Sequence, residues 1–428
     1  MSLAGGQPAE ELVVLCNGEP AGTLRRRRGQ LSLRYFDSWR VRDDATPMSV
    51  SMPLAAREHP HRVVDPFLWG LLPDNDAVIS RWGRNFQVST SHPFGLLANV
   101  GEDLPGAMQL VRPERVAKLE KAKGSVEWLD TAEVAGLLRA VRQDHTAWLA
   151  DGAEGRWSLA GAQPKIALLR DGDRWGRPTG RTPTTHILKP AVAGFDEHDL
   201  NEHLCLRACQ RLGLRAANTE VGVFDEERAI VVERYDRMIQ RRTWRRVHQE
   251  DMCQALGLHP SQKYQSDGGP SPDKIADLLR VSMPPRAASS AVEAFVDALA
   301  FNWLVAAPDA HAKNYALLLE GPQVRLAPLY DIASALAYPD FHLPKLKMAM
   351  KIGGYYRLSA IGRQAWIRLS EDLRLDREVV LDRISGLIER ISDAFADAAG
   401  EPEVVALNSP LPSRLVDAVA SRAGALTR

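Results

Sequence analysis

The sequence predicts an α+β fold in which a sheet-rich amino-terminal part precedes a mainly helical carboxy-terminal part. Two observations lead to this prediction. Up to about residue 237, short alternating apolar and polar runs are separated by glycine-containing turns, a pattern typical of half-buried strands. From His248 onward, apolar residues recur at helical spacing over longer segments.

The composition is that of an ordinary globular protein. Of the 428 residues, 45% are hydrophobic and 25% are charged, enough for two or three domains. Lys+Arg and Asp+Glu both total 54, so net charge does not indicate nucleic acid or an anionic membrane as the main partner. The start lacks a basic segment and a long apolar run, and no run of about 18 apolar residues follows. We therefore predict a cytoplasmic protein without a membrane span.

The four cysteines suggest neither a disulfide framework nor a zinc site. Cys205 and Cys209 are four residues apart on one face of a predicted helix, and no second pair at zinc-ligand spacing accompanies them. We predict that these two residues, together with Cys16 and Cys253, are buried free thiols.

Residues 1–115 are predicted to form a β-rich first module. Asn17-Gly18 lies between two alternating runs, a strong signal for a two-residue hairpin turn. A helical stretch follows over residues 65–86, where Pro66 is expected near the helix start and Pro73 is expected to break the helix. The charged segment of residues 114–126 marks the boundary to the next unit.

Residues 116–238 and 239–428 are predicted to form a mixed lobe and a helical lobe. The mixed lobe should contain helices over residues 131–143 and 200–212, and strands within residues 158–170, 185–190 and 219–237. The helical lobe should contain helical segments at residues 249–257, 271–281 and 291–307.

Three oxygen-bearing side chains in the helical lobe suggest phosphoryl transfer, which needs a carboxylate near the acceptor hydroxyl and oxygen ligands for Mg²⁺. An apolar helix should carry Asp309 and Asn314 to the lobe surface, and residues 317–331 predict a hairpin that returns Asp331 beside them. The set parallels the base and two metal ligands of protein kinases, although neither H-R-D nor D-F-G occurs. Small-molecule phosphotransferases use similar spacing, and a polar helix end with a turn aspartate is the structural alternative.

A loop of small residues and three lysines supply candidate phosphate contacts. In residues 158–165, small side chains would let backbone N–H groups approach a phosphate, although a plain β-turn explains the segment equally well. Arginine is the usual cation of this chain, so Lys165, Lys189 and Lys313 in candidate site segments are unexpected. Lys189 ends an apolar strand, where a kinase places its phosphate-contacting lysine; a solvated strand-end lysine is the alternative.

The strand at residues 229–237 leads into a polar connection between the two predicted lobes. Kinases bind adenine against the backbone of that connection, which makes Glu233, Arg234 and Tyr235 the candidates here. A salt-bridged strand edge is the alternative for the individual side chains.

Taken together, these segments resemble the HipA-type toxin kinases. The matching stretches run in the family's order over about residues 150–340 and include SLAGAQPKIALL, THILKP, VVERYDR, HQEDMCQALGLHPSQKYQSDGGP, PDAHAKNYALL and LYDIASAL. MSVSMPL, GLLPDN and FGLLANVGEDLPGAMQL also look like the family's amino-terminal module. The resemblance implies a two-lobed protein-kinase-like fold, with a β-rich N-lobe, a helical C-lobe and an additional N-terminal β-rich module.

The resemblance also implies a role for each candidate residue. Asp309 would be the catalytic base, and Ser158 an autophosphorylated serine whose modification expels the phosphate loop and inactivates the kinase. Gln249 would play a supporting role near the metal. ATP would contact Ala160, Gly161, Ala162, Gln163, Lys165, Lys189, Glu233, Arg234, Tyr235, His311, Lys313, Asn314 and Asp331, with Asn314 and Asp331 also binding Mg²⁺.

Two prolines depart from the family pattern. Pro164 stands where the family commonly has glutamate, and Pro308 immediately precedes the expected base. Proline removes an N–H donor and restricts its neighbour, so these residues bear on the mobility of the loop.

By resemblance, the protein would be an ATP- and Mg²⁺-dependent serine/threonine kinase that phosphorylates an aminoacyl-tRNA synthetase, such as glutamyl-tRNA synthetase, and arrests growth. Its partner would be a HipB-like helix-turn-helix antitoxin, through which it reaches operator DNA. The arginine-rich residues 25–28 and 241–246 are candidates for DNA contact, with solvated hairpin turns as the alternative. A small-molecule phosphotransferase and a non-catalytic, nucleotide-binding transcriptional co-regulator are the competing functions.

Overall fold

The computed structural model describes residues 10–121, 124–147, 157–192, 194–241 and 243–426. Two predictions fall partly outside the described residues. The absence of a leader was predicted from the start of the chain, whose first nine residues are not described, and the second arginine-rich run includes residue 242.

The N-terminal module is an antiparallel sheet covered by short helices. Its strands are β1 (Glu10–Cys16), β2 (Glu19–Arg27), β3 (Gln30–Tyr35), β4 (Glu58–His59) and β5 (Met108–Val111). Its helices are α1 (Asp37–Arg40), α2 (His61–Gly70), α3 (Asp76–Phe86) and α4 (Pro93–Val100). The strand order is β4-β3-β2-β1-β5, and buried side chains such as Leu12, Leu24 and Phe67 fill the space between sheet and helices.

The predicted hairpin at Asn17-Gly18 is confirmed. Both residues adopt positive φ, 51° and 83°, as a two-residue hairpin turn requires. Pro73 breaks the helical stretch as predicted, but the position expected for Pro66 is wrong. Helix α2 begins at His61, so Pro66 lies inside it rather than at its start. The helix tolerates the lost N–H donor because its apolar face is buried, with Val64, Phe67 and Leu68 in the core.

The sheet lobe follows helix α5 (Pro113–Lys121). Its helices are α6 (Thr131–Gln143) and α7 (His198–Arg211). Its strands are β6 (Ser125–Leu129), β7 (Ile166–Asp171), β8 (Arg174–Thr179), β9 (His186–Pro190), β10 (Thr219–Phe224) and β11 (Glu227–Glu233). They form a six-stranded sheet with the order β10-β11-β9-β7-β8-β6. The helix over residues 131–143 is confirmed at both ends, whereas strands β6 and β8 were not predicted.

The helical lobe begins with short strands. The strands are β12 (Arg237–Gln240), β13 (Thr243–Arg246), β14 (His248–Asp251), β15 (Ala316–Glu320), β16 (Gln323–Leu326), β17 (Lys347–Ile352) and β18 (Tyr355–Arg357). The helices are α8 (Met252–Ala255), α9 (Pro272–Ser282), α10 (Pro285–Leu304), α11 (Arg363–Asp372), α12 (Arg377–Ala399), α13 (Pro402–Val405) and α14 (Leu411–Leu426). Helix α10 packs against α9, α12 and α14 and supplies buried core residues such as Phe295 and Phe301.

One predicted helical segment, residues 249–257, is partly wrong. Residues 249–251 belong to strand β14, because this stretch pairs with β15 from Gln249 opposite Leu318 to Asp251 opposite Ala316. A pairing partner more than sixty residues away therefore overrides the local helical pattern. Asp251 then caps the short helix α8 by accepting from the backbone N–H of Gln254 at 2.9 Å.

The cysteine prediction is confirmed, because Cys16, Cys205, Cys209 and Cys253 are all free and buried. Over the part of the chain that the structure describes, no helix combines the length and apolar character needed to cross a bilayer.

A buried ionic network joins the N-terminal module to the connection between the sheet lobe and the helical lobe. The Asp103 carboxylate lies 2.9 Å from the guanidinium of Arg237, 3.4 Å from that of Arg246 and 3.7 Å from that of Arg234. Burial alone would raise the pKa of Asp103, but these guanidinium groups hold it well below its usual range. Buried charges of this kind are tolerated only when they are paired, so the network fixes how the module sits.

Several arginines of the two arginine-rich runs form ion pairs within the protein. Arg246 is buried against Asp103, and Arg245 lies 3.7 Å from Glu320. In the first run, Arg25 pairs with Glu11 and Arg26 with Glu10. These guanidinium groups therefore have carboxylate partners within the protein.

The buried carboxyl of Glu250 joins the helical lobe to the N-terminal module. Its two oxygens accept from the Ser49 hydroxyl at 2.5 Å and from the backbone N–H of Val50 at 2.8 Å. Burial raises the pKa of Glu250 to about 8 and outweighs these hydrogen bonds, which lower it. The folded protein therefore retains a proton that the unfolded chain would release near pH 4.5.

This raised pKa predicts that Glu250→Gln gains stability relative to wild type as the pH rises. The stability that the Glu250 proton contributes is complete below the unfolded value and is lost as the pH passes through about 8. Gln keeps the shape of the side chain and cannot titrate. The free energy of unfolding of the variant minus that of wild type should therefore be about 3–5 kcal/mol larger at pH 8.5 than at pH 4.5. Urea unfolding across this pH range measures it. The exposed Glu389→Gln is the control, and parallel pH curves for wild type and Glu250→Gln would contradict the prediction.

Candidate active site

A cleft of about 620 Å³ opens between the sheet lobe and the helical lobe, a volume suited to a nucleotide-sized ligand. The structure brings the predicted contact residues together around it. The residues that line the cleft include Ala160, Gly161, Ala162, Gln163, Lys165, Lys189, Glu233, Arg234, Tyr235, Asp309, His311, Lys313, Asn314 and Asp331. Ser158 is the first residue of the loop that borders the cleft, and it is buried.

An ion triad, buried at Lys189 and Glu202 and partly exposed at Asp331, joins the two lobes at the cleft. The Lys189 ammonium at the end of β9 lies 2.8 Å from the Glu202 carboxylate on α7 and 2.9 Å from the Asp331 carboxylate. Burial alone would lower the pKa of Lys189, but Asp331 and Glu202 raise it above its usual range. Burial alone would raise the pKa of Asp331, but Lys189 and Lys165 hold it well below normal. Lys189 is therefore charged and fixed in position.

Glu202 was not among the predicted residues, although the sequence held a signal for it. It precedes Cys205 by three residues and is buried on the same helix as both Cys205 and Cys209. A carboxylate on the buried side of a helix needs a cationic partner, and Lys189 provides it.

The segment of Asp309 and Asn314 follows helix α10 instead of continuing it. The helix ends at Leu304, so the expectation that it carries both residues is wrong. Ala306 adopts φ 51° just beyond the helix end, a left-handed conformation that turns the chain, and Pro308 cannot donate an N–H to a further helical turn. Asn314 instead closes a short 3₁₀ turn, and its side-chain Nδ2 donates to the Asp309 carbonyl at 2.7 Å.

Asp331 returns to the cleft as predicted. Strands β15 and β16 form the hairpin, with Leu317 opposite Leu326, and the chain then turns back toward Asn314. On this return path, the Tyr330 hydroxyl donates to the Lys313 carbonyl at 2.6 Å. Asp331 itself adopts φ 59°, a left-handed backbone conformation that aims its carboxylate at Lys189.

The oxygen donors at this position fit a magnesium ion. Asn314 uses its amide nitrogen within the loop, which leaves its Oδ1 for a ligand, and Asp331 supplies a carboxylate that stays ionised. Mg²⁺ commonly takes one or two protein oxygens and completes its shell with phosphate and water. Among the described residues, no group of three or more His, Cys, Asp or Glu side chains could hold a metal ion.

The loop of small residues curls around the Lys165 ammonium. Lys165 Nζ donates to the Ala160 carbonyl at 2.7 Å, and Gly161 adopts φ +101°. This positive φ strains any residue other than glycine, and a Cβ at Gly161 would also lie 2.7 Å from Lys165 Nζ. Burial, followed by the nearby charge of Lys189, lowers the pKa of Lys165 to about 8. Within the described chain, the buried Gln163 Nε2 and His311 Nδ1 have no hydrogen-bond partner, which suits them to bind a ligand.

The N-terminal module holds this loop in place. The Ser158 hydroxyl donates to the Leu71 carbonyl at 2.7 Å, and the Ser158 N–H donates to the Asp103 carbonyl at 3.0 Å. Farther along, the Asp74 N–H donates to the Gly161 carbonyl at 3.1 Å. Ser158 is completely buried in this arrangement.

Asp74 also reaches the helical lobe, a contact that sequence reasoning missed. Its carboxylate lies 2.6 Å from Lys313 Nζ and 3.2 Å from Lys263 Nζ. Burial would raise the pKa of Asp74, but the two ammonium groups lower it, with Lys313 contributing most. The Lys313 ammonium is thus engaged by Asp74, and both residues line the cleft.

The predicted adenine contacts lie at the connection between the lobes. The N–H groups of Glu233 and Arg234 already donate to Asn218 and Thr185 carbonyls, both at 2.9 Å. The Arg234 guanidinium points into the ionic network, 3.0 Å from Asp236, so Arg234 borders the cleft without offering its charge. The Tyr235 hydroxyl donates to the side-chain oxygen of Gln249, which also borders the cleft.

Comparisons with known proteins agree with this architecture. A family model described as the HipA-like C-terminal domain matches residues 157–396, and one described as the HipA N-terminal domain matches residues 12–111. Y4mE, a candidate kinase of Sinorhizobium fredii, is 34% identical over 400 residues, which cover 93% of each chain. The serine/threonine-protein kinase toxin HipA of Shewanella oneidensis is 27% identical over 390 residues, which cover 86% of this chain and 83% of the relative.

A solved structure shows the same fold. It is the HipA toxin of Shewanella oneidensis in complex with HipB and operator DNA, with a TM-score of 0.81, 24% identity and coverage of 97% of both chains. The two-lobed arrangement with an N-terminal module is therefore a known architecture.

The ion triad predicts a large stability loss for Lys189→Met. This change leaves the Glu202 carboxylate buried without its cation, which should cost about 3–5 kcal/mol in the free energy of unfolding. Urea denaturation measures the loss. The exposed Lys347→Met is the matched control and should stay within about 0.5 kcal/mol of wild type. The double variant Lys189→Met with Glu202→Met should recover part of the loss, and equal stability of Lys189→Met and the control would contradict this account.

Proposed function

This chain belongs to the HipA family of kinases, and from that premise we propose that it is an ATP- and Mg²⁺-dependent serine/threonine protein kinase toxin. The observation that supports this most directly is the meeting of Asp309, Asn314 and Asp331 with Lys189 around one nucleotide-sized cleft. Lys189 is far from the other three in sequence, 142 residues before Asp331, so the fold itself assembles this set.

In this proposal, each part of the cleft has a chemical task. Asp309, whose side chain is 65% exposed, accepts the proton that the acceptor hydroxyl loses. Lys189 and Lys165 offset the negative charge of the nucleotide phosphates. Bound by Asn314 and Asp331, Mg²⁺ would add positive charge at the transferred phosphoryl group. Gln163 and His311 complete the donor set toward the phosphates, and the backbone at Glu233–Tyr235 borders the adenine.

The buried position of Ser158 suits it to a switch. Phosphate adds about −1.5 to −2 charges, which cannot be accommodated at a fully buried hydroxyl that faces the Leu71 carbonyl. Autophosphorylation of Ser158 would therefore require the loop of residues 158–165 to leave its seat and would prevent its return. Since that loop carries Lys165 and Gln163, its departure would remove phosphate contacts and stop the kinase.

The biological setting is proposed from the family resemblance. The protein would act in the cytoplasm, and its substrate would be an aminoacyl-tRNA synthetase, such as glutamyl-tRNA synthetase. Phosphorylation of that enzyme would stop translation and growth and favour persistence of the cell. A HipB-like helix-turn-helix antitoxin would hold the kinase in check and connect it to operator DNA, as the Shewanella oneidensis complex supports. The functional division into residues 1–115, 116–238 and 239–428 belongs to the same proposal.

Asp309→Asn should abolish phosphate transfer without unfolding the protein. Loss of the proton acceptor should lower the rate by about a hundredfold to ten-thousandfold, while ATP binding persists. The assay is incorporation of labelled phosphate with ATP and Mg²⁺, followed by phosphoproteomics of cells that express wild type or Asp309→Asn. Asp340→Asn, an exposed site, is the control. Undiminished transfer by Asp309→Asn would overturn the proposed function.

Ser158→Ala should keep its activity longer than wild type. Alanine fits the buried site and cannot take up phosphate, so the loop should stay seated during incubation with ATP and Mg²⁺. The measurement is the decay of transfer to the target that phosphoproteomics identifies, with the exposed Ser359→Ala as control. Equal decay rates for wild type and Ser158→Ala would show that this switch does not operate.

A further inference from the structure

One oxygen of the proposed base is already held by a tyrosine to which no role has been assigned. The Tyr264 hydroxyl donates a hydrogen bond to Oδ1 of Asp309. The Tyr264 ring also meets the His311 ring edge-on, with centroids 4.9 Å apart and planes at 85°. Tyr264 therefore contacts two side chains of the same catalytic segment.

The chain on both sides of Tyr264 is anchored to the helical lobe. The Lys263 carbonyl accepts from the Ala312 N–H at 3.1 Å, which ties this segment to the catalytic loop itself. The Gln265 side-chain oxygen accepts from the Lys351 N–H at 2.7 Å, which ties it to strand β17. The Tyr264 carbonyl accepts from the N–H of Gly269 at 2.9 Å and so closes a tight turn.

A third anchor comes from the N-terminal module. The Asp74 carboxylate bridges Lys263 and Lys313, which flank Tyr264 and Asp309 on their respective segments. Lys313 is buried, and Asp74 raises its pKa above the usual value although burial opposes this. Two segments of the helical lobe are thus held against each other by one carboxylate of the module.

This anchoring matters because the Asp309 side chain has little else to fix it. It is 65% exposed, and the torsion that rotates an aspartate carboxylate has a broad, roughly two-fold profile. The imidazole Nε2 of His311 lies 4.0 Å from Oδ1, beyond a hydrogen bond. The Tyr264 hydroxyl is therefore the contact that selects one carboxylate orientation.

We propose that Tyr264 is a positioning residue for phosphate transfer, whose hydroxyl occupies Oδ1 of Asp309 and so presents Oδ2 to the acceptor hydroxyl of the protein substrate. This inference rests on the proposed function, because it assigns to Asp309 the role of base. The proton of the acceptor goes to Oδ2, and the Tyr264 proton stays on the phenol. Burial, followed by the hydrogen bond to Asp309, raises the pKa of Tyr264 above its usual value, in keeping with a hydroxyl that remains protonated.

Tyr264→Phe tests the proposal because it removes only the hydroxyl and keeps the ring against His311. We expect the single-turnover rate of phosphate incorporation at saturating ATP to fall by about tenfold to hundredfold. The ATP concentration that gives half the maximal rate, and the ATP dissociation constant, should stay within about twofold of wild type. Tyr355→Phe, at an exposed tyrosine on β18, is the matched control and should behave as wild type.

The result separates positioning from a merely structural role. A structural role would lower the thermal stability and weaken ATP binding together with the rate, and that outcome would overturn the proposal. An unchanged rate in Tyr264→Phe would overturn it as well. In an Asp309→Asn background, Tyr264→Phe should cause no further loss, because both residues act on the same proton transfer.

The same set of variants shows which idea fails. If Asp309→Asn transfers phosphate at the wild-type rate, the proposed function fails, and this inference fails with it. If Asp309→Asn is inactive while Tyr264→Phe matches wild type, only the role of Tyr264 is refuted.

Discussion

The interaction on which the rest of the site depends is the pairing of the buried Lys189 ammonium with Glu202 and Asp331. The Lys189 ammonium and the Asp331 carboxylate lie 142 residues apart in sequence and meet at 2.9 Å. A buried ammonium is tolerated only when carboxylates pair with it. An arrangement that separated Lys189 from its carboxylates would therefore be unfavourable. Strand β9, helix α7 and the turn after β16 are thereby fixed relative to one another. The cleft between the lobes, and the direction in which Asp331 faces, follow from that constraint.

The N-terminal module is joined to the same site by hydrogen bonds and ion pairs. Its Leu71 carbonyl receives the Ser158 hydroxyl, and its Asp74 holds Lys263 and Lys313 on the far side of the cleft. Asp103 in turn anchors the module to the connection between the two lobes through Arg237. A displacement of the module would therefore release the phosphate loop and loosen the segments around Asp309 together. Regulation that acts on the module would reach the chemistry through these contacts.

The sequence predicted those residues of the site whose chemistry can be inferred from their own side chains and their neighbours in the sequence. Asp309, Asn314 and Asp331 stand out because Mg²⁺ and proton transfer need oxygen-bearing side chains, and Lys189 stands out because it ends an apolar strand. Asp74 and Tyr264 could not be predicted this way, since each acts on a residue that is distant in sequence. The same limit applies to the fold: strand β14 follows its partner β15 instead of its own helical pattern. Long-range contacts decide what local patterns leave open.

The choice of lysine within an arginine-rich chain also has a physical explanation. A compact ammonium can sit between two carboxylates at 2.8 Å and 2.9 Å, as Lys189 does, where a planar guanidinium would need more room. Lys165 is a different case, because burial lowers its pKa to about 8. Anionic phosphates beside it would favour its charged form, so its positive charge would be strengthened by the ligand that it contacts. Arginine stays charged under all these conditions and could not respond in this way. The cleft thus combines a lysine whose charge the protein holds fixed with one whose charge a nucleotide would reinforce.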